Sequence, residues 1–437
     1  MDNLKDTNLN HYLSDYLPIY YKRLFPFSLY YRWLNYGGVD KTYFSNREFS
    51  FTVENDVYIR YLSYMNQSEL EKQISQKIPY KIDIGAVYNF RPKDRFTVAN
   101  FIPLSKELVF DIDISDYNEV RTCCKESDMC EKCWPLMVIA IKILDIGLRE
   151  DFGFEHILWI YSGRRGIHCW VCDVLARKLD KNVRSAIAEY FTIVIGGENM
   201  LRKVELEDPI HPSISRSFNI IKNYFEKLML IDQDILGTPT ACDKILALIP
   251  DIDLRKLVKR ELESQTKSMS SIDKWNIMSK IVSRETSKGK YQKSSKCRQE
   301  IMLQYCYPRL DVNVTTGLNH LLKSPFSVHP KTGRVCVPID IENIDEFKPL
   351  KVPTIDLLCD EINAYEMSSK DEDAIIEDME NNVDDSTGNQ PKKLKIIKDF
   401  KKTSLYPSIQ TFEKFVQNLE ASWKGKLLEQ SDIKCEF

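Results

Sequence analysis

Leu108-Val109-Phe110-Asp111-Ile112-Asp113-Ile114 carries an apolar residue at every second position and reads as a β-strand. Leu108, Phe110, Ile112 and Ile114 share one face, and Asp111 and Asp113 share the other. Two residues along a strand span roughly 6.6–7 Å, so the two carboxylates stand side by side. Like charges that close are costly unless a cation sits between them. Two hard oxygen donors suit Mg2+ or Mn2+. A lone Asp-x-Asp strand is more often a solvated sheet edge, so the rest of the chain decides its meaning.

The chain has 437 residues, 43% hydrophobic and 29% charged, an ordinary globular balance with room for two domains. No apolar run approaches the ~18 residues of a membrane helix, and no membrane association is expected. The N-terminus, MDNLKDTNLNHYL, lacks the basic and apolar regions of a signal peptide. A reducing intracellular compartment follows, in which the twelve cysteines are expected as thiols or metal ligands. The net charge of −3 is unevenly spread: residues 360–386 hold eleven Asp/Glu against one Lys, so the rest of the chain is net positive. A mildly basic body with an acidic tether is compatible with a phosphate-rich partner.

The aromatic-rich stretch up to Asn35 is punctuated by Pro18 and Pro26 and predicts short helices whose rings pack on the body rather than stack on bases. Residues 47–53 and 57–62 alternate and read as a hairpin carrying Glu48 and Arg60. Residues 81–88 form another strand, with Lys81 and Asp83 on one face. Helical spacing marks 134–151, most of 174–305 and 410–429. The expected organisation is a first part of a catalytic core over 1–185, a mainly α-helical subdomain over 186–305, and a second part of the core over 306–359. An acidic disordered linker over 360–390 and a basic stretch with a last helix over 391–437 complete it.

Four segments carry chemistry. Cys123, Cys124, Cys130 and Cys133 fall within eleven residues, and the Cys-x-x-Cys half has the bite for a tetrahedral zinc. Four thiolates leave no open position, which favours a structural role. Ser162-Gly163-Arg164-Arg165-Gly166 is a glycine-flanked turn between two apolar strands, with His168 two residues beyond it. Its backbone N–H groups and two guanidinium groups suit phosphate oxygens. Cys169 and Cys172 have metal-like spacing but face opposite ways on a strand, and read as core. Arg309-Leu310-Asp311-Val312-Asn313-Val314 repeats the opening alternation, as a second strand presenting Asp311. The stretch 319–334 then gathers His320, Lys323, His329, Lys331 and Arg334. No Walker-type loop is present.

Taken together, YYRWLNYGG, REFSF, YKIDIGAVY, VFDIDISDY, CCKESDMCEKCW, SGRRGIHCWVCD, PRLDVNV and HLLKSPFSVHPKTG resemble the small, catalytic subunits of eukaryotic DNA primases, in the archaeo-eukaryotic primase superfamily. The resemblance runs over nearly the whole chain. It implies a mixed α/β (α+β) primase core with mixed β-sheets, a zinc motif at 121–134 and an inserted helical subdomain. Asp111, Asp113 and Asp311 are then the catalytic metal-binding triad for two Mg2+ or Mn2+ ions, with Glu48 a further catalytic-site residue. Ser162, Arg164, Arg165, His168, Lys323 and His329 would bind the incoming nucleotide, mostly at its phosphates. Arg60, Lys81 and Asp83 would lie near the nucleotide and its sugar, and Cys123, Cys124, Cys130 and Cys133 would hold structural zinc. The implied activity is DNA-templated synthesis of RNA primers from NTPs in the nucleus. Implied partners are an iron–sulfur large subunit, the DNA polymerase α complex, single-stranded template DNA and the RNA–DNA hybrid. Two other readings compete: a repair-type primase-polymerase using dNTPs, and an inactive zinc-stabilised scaffold. The absence of a second Cys/His cluster counts against the first, and the three aspartates count against the second.

Overall fold

A computed structural model describes residues 2–197, 200–265, 268–380 and 398–435, with side chains described only between 12 and 367 and between 398 and 423. Among the described residues, eight strands form two antiparallel sheets. β1 (Arg47–Val53), β2 (Val57–Leu62), β3 (Lys81–Tyr88) and β4 (Pro103–Ser105) form the first in the order β2-β1-β3-β4, and β8 (Leu322–Lys323) pairs with β3. β5 (Leu108–Asp113), β6 (Ile157–Tyr161) and β7 (Gly166–Val171) form the second in the order β5-β7-β6. The hairpin expected at 47–62 is the β1–β2 pair, closed at Val53 opposite Val57. The opening stretch is β5: its apolar residues are buried, and Asp111 and Asp113 are the two that reach partial exposure.

The N-terminal aromatics are core. Tyr20, Tyr21, Tyr30 and Trp33 are at most 1% exposed. Trp33 meets Trp170 of β7 edge to face at 5.5 Å and Phe412 of the C-terminal helix Tyr406–Cys435 at 5.8 Å, so both ends of the chain pack over the second sheet. The Trp33 indole N–H donates to Cys172 Sγ at 3.3 Å, and Cys169 of β7 and Cys172, just past its end, are both fully buried.

Three expectations need correction. The first helix is not short but runs over Asp2–Arg23, through Pro18. It docks on a later helix, with the Tyr12 hydroxyl donating to Asp356 Oδ1 at 2.6 Å. The stretch 360–390 does not begin as a linker, because Ile355–Glu380 is one helix. Ile355, Leu358 and Ile362 bury its first turns, and burial overrides the acidic composition there. The rest of that stretch, and the basic run up to residue 397, lie outside the described residues. Residues 309–314 are not a strand: Asp311 caps a five-residue helix, Val312–Thr316. Val314 is buried while Val312 is 39% exposed, so the alternating valines do not share a face. A helix of barely more than one turn is too short for its period to show in sequence. Between 181 and 306 the chain is mainly helical, including Pro212–Phe225 and Ser271–Ser287.

One ion pair ties the sheets together. Arg47 of β1 and Glu107, the residue before β5, are both fully buried and form a two-pronged pair at 2.9 Å and 2.9 Å. The Tyr36 hydroxyl donates to the same carboxylate at 2.5 Å, and Arg184 donates to the Glu107 carbonyl at 3.0 Å. Burial opposes ionisation of Glu107, but the Arg47 guanidinium outweighs it and holds the carboxyl at about 2. Removing one partner strands the other charge in the core. Glu107→Ala is therefore expected to cost about 3–5 kcal/mol, read as a lower urea midpoint; a loss below ~1 kcal/mol contradicts the assignment.

Candidate active site

A cavity of about 320 Å3 opens between the two sheets. Tyr58 of β2, Lys81 and Asp83 of β3 and Lys323 of β8 line one side. Asp111 and Asp113 of β5, Gly166 and His168 of β7 and the turn residues Ser162, Arg164 and Arg165 line the other, with His320 and His329 at the rim.

The aspartates converge through main-chain contacts. The Asp311 N–H donates to the Asp111 carbonyl at 3.1 Å, and the Arg309 N–H donates to the buried Tyr117 hydroxyl at 3.2 Å. These two bonds dock the Asp311 segment alongside β5. Asp311 then caps its short helix by accepting the Asn313 N–H at 3.1 Å. Asp113 is held between the Ser115 N–H and hydroxyl, at 2.8 and 2.7 Å, and Arg165 Nε at 2.6 Å. Burial, with Asp113 and Asp311 adding repulsion, pushes the Asp111 carboxyl up to about 7. The donor set suits a hard cation, and crowding of this kind is what such a cation relieves. Asp311 itself lies outside the cavity lining and is exposed.

The arginine turn is built by glycines. A side chain at Gly166 would meet the Ile112 carbonyl at 2.7 Å, and Gly163 sits at φ +86° with room for no Cβ beside His329. The Ser162 hydroxyl accepts the Gly166 N–H at 3.0 Å, and its carbonyl accepts Lys323 Nζ at 3.3 Å. Arg164 donates to the Ser127 hydroxyl at 2.7 Å. His168 stands opposite Asp111 in the β5–β7 register, with Nε2 3.6 Å from its carboxylate, too far for a hydrogen bond. Burial, with Lys323 adding, pulls His168 down to about 3 and His329 to about 2, so both imidazoles are neutral here. Arg164, Arg165 and Lys323 thus line the cavity as cations, and neither imidazole adds a charge to them.

On the first sheet, Asp83 accepts the Tyr58 hydroxyl at 3.0 Å and pairs with Lys81 at 3.0 Å. Glu48 and Arg60 do not line the cavity. Glu48 is fully buried behind it and holds Arg60 at 3.0 Å, the Tyr61 N–H at 3.2 Å and the Tyr88 hydroxyl at 3.1 Å. Its contacts are those of a positioning residue.

The ligand atoms of Cys123, Cys124, Cys130 and Cys133 all lie within 4.8 Å of one another. Zinc–thiolate bonds of about 2.3 Å give tetrahedral edges of about 3.8 Å, so the quartet fits a zinc ion with slight contraction. No carboxylate group among the described residues is gathered as closely. Gln233 clamps this loop to the helical region, accepting the Thr122 N–H at 2.8 Å and donating to the Lys132 carbonyl at 3.0 Å.

The family model described as DNA primase small subunit matches residues 110–341, which span the aspartates, the cysteines, the arginine turn, Lys323 and His329. A DNA primase small subunit of Drosophila melanogaster is 44% identical over 95% of this chain and 94% of its own. The chain belongs to the DNA primase small subunit family. A second relative of that description, from Schizosaccharomyces pombe, is 44% identical over 95% of this chain and 92% of its own. A DNA primase small subunit PriS of the archaeon Picrophilus torridus is 25% identical over 76% of this chain. Membership makes the chain the catalytic subunit of a DNA primase, acting in DNA replication.

Sequence reading of this primase subunit missed three residues. Tyr58 lies two positions before Arg60 on β2, and the alternation there was the available signal. His320 stood in a stretch singled out for its histidines. Lys106 had no signal: its buried ammonium donates to the His320 carbonyl at 2.5 Å and so fixes the cavity rim.

Two outcomes follow for the purified primase subunit. Asp111 titrates at about 7 in the metal-free fold against about 3.8 unfolded, so folding is favoured at low pH and that contribution is lost as pH rises through 7. Asp111→Asn should therefore raise the thermal midpoint of metal-free protein at pH 8, the gain vanishing near pH 4; a lower midpoint at pH 8 contradicts the crowding. Cys130→Ser should lose bound zinc by elemental analysis and lower the thermal midpoint, whereas undiminished zinc rules out the quartet.

Proposed function

We propose that this chain polymerises ribonucleotides into short RNA primers on a DNA template, as the nucleotidyltransferase subunit of a replicative primase. One observation carries the reading. Asp111 and Asp113 of β5 face an arginine turn and a half-buried lysine across a cavity closed on its other side by Asp83, with Asp311 docked beside β5 just outside that lining. A row of carboxylates opposite a row of cations is the charge pattern of nucleotidyl transfer.

In this reading Arg164, Arg165 and Lys323 take the triphosphate, with the Ser162–Gly166 turn approaching it through its backbone. Divalent ions held by Asp111, Asp113 and Asp311 supply, when bound, the Lewis acidity that activates a 3′-hydroxyl and steadies the leaving pyrophosphate. His168 and His329, neutral before binding, donate hydrogen bonds to phosphate oxygens without adding a fixed charge. Asp83, held by Tyr58 and Lys81, accepts the sugar 2′-hydroxyl and so favours ribonucleotides. Glu48 keeps Arg60 aimed toward the rim, where it also donates to the Asn319 carbonyl at 3.3 Å. The template is held by phosphate contacts and stacking, and its sequence is read by base pairing. The wider assembly in this proposal is an iron–sulfur large subunit and the DNA polymerase α complex, in the nucleus.

The direct test is primer synthesis on single-stranded DNA with NTPs against dNTPs. Asp111→Ala and Asp311→Ala should each lower synthesis by at least about 10^3-fold while zinc content and fold persist. Near-normal synthesis by either variant sinks the metal-triad assignment, and equal use of dNTPs by the wild type sinks the ribonucleotide assignment.

A further inference from the structure

Beside the cavity, the loop after β3 carries a short helical turn, Pro92–Thr97, on which Phe96 is 85% exposed. That is a large apolar side chain left in water with no core to join. The Arg95 guanidinium lies 3.9 Å from the Phe96 ring centroid and 4.2 Å from that of Tyr61. The Arg60 guanidinium also lies 4.8 Å from the Tyr61 ring centroid. Rings and guanidinium groups thus alternate from solvent inward, Phe96, Arg95, Tyr61, Arg60, and the series ends on Glu48. Phe101 extends the aromatic surface, stacked on Tyr88 at 4.1 Å with 6° between planes.

Two further features set this surface apart from a casual one. Tyr61 sits at φ 62°, a left-handed conformation that costs a non-glycine residue free energy. It is held there because Glu48 accepts its N–H at 3.2 Å. And Arg60 donates to the Asn319 carbonyl, the neighbour of His320 on the cavity rim, so the series leads to the cavity itself.

We propose that Phe96, Arg95 and Tyr61 form a stacking ladder for the unpaired template strand outside the cavity, a proposal that rests on the primer-synthesis reading. A single strand offers alternating ring faces and anionic phosphates, and this surface offers alternating rings and cations. The ladder is tolerant of sequence, because every base has a face to stack, and a template must be accepted whatever its sequence. Duplex DNA hides its ring faces and gains only the arginine contacts.

The test uses the full chain and a labelled oligo-dT strand followed by fluorescence anisotropy over a salt series. Phe96→Ala is expected to weaken binding roughly 5- to 100-fold with an unchanged salt slope, and Phe96→Trp to restore it. Arg95→Ala should weaken binding and lower the logarithmic salt slope by about 0.7, one single-strand phosphate contact. Phe96 is exposed, so an unchanged thermal midpoint is expected for its variants. If both alanine variants bind within twofold of a wild type that binds the strand and extends primers, the ladder is wrong and the primer-synthesis reading stands. A wild type that neither binds nor extends overturns both. Undiminished oligonucleotide affinity with lost association to a primase large subunit overturns the ladder and marks a protein contact.

Discussion

Three carboxylates held at one strand end repel one another, and the rest of the site is arranged around that repulsion. The backbone bond from Asp311 to the Asp111 carbonyl forces the third aspartate beside the other two. Arg165 restrains Asp113 from one side, and Lys323 lies across the cavity from Asp111. Burial, with that repulsion added, raises the Asp111 carboxyl to about 7. A site strained in this way by its own charge is poised for a cation and for the phosphates that accompany it.

The scaffold keeps these charges from relaxing apart. β5 and β7 fix Asp111 against His168 and Asp113 against Gly166 by strand register. β3 carries Asp83 and, by pairing with β8, sets Lys323 directly beside it. The buried Arg47–Glu107 pair then locks the first sheet to the start of β5. Each link is made of backbone or of fully buried side chains, which suits positions that must hold to fractions of an ångström. The cysteine loop reaches the same site through Ser127, whose hydroxyl accepts Arg164.

Much of this was legible in the sequence because it rests on period two. The β1–β2 hairpin, β3, β5 and the β6–β7 pair alternate or run apolar, and the β6–β7 turn carries Gly163 and Gly166. The cysteine spacing was equally plain, and the structure gathers the four thiols. What escaped has physical reasons. Asp311 was expected on a strand but caps a short helix, since Val312 and Val314 alternate in sequence without sharing a face. Lys106 and Glu107 are fully buried by tertiary packing that no local sequence pattern signals. The acidic run after Ile355 begins as helix because its apolar residues pack on the body. The neutral state of His329 comes from burial, with Lys323 and Arg164 nearby adding to it, an environment that only the fold creates.

The central claim is that Asp111, Asp113 and Asp311 jointly hold the catalytic divalent ions. Anomalous diffraction from crystals grown with Mn2+ and a non-hydrolysable ribonucleoside triphosphate tests it most directly. The account predicts manganese peaks ligated by these three carboxylates, with the triphosphate against Arg164, Arg165 and Lys323. Manganese bound elsewhere, with Asp311 turned to solvent and no ion on Asp111, would contradict it.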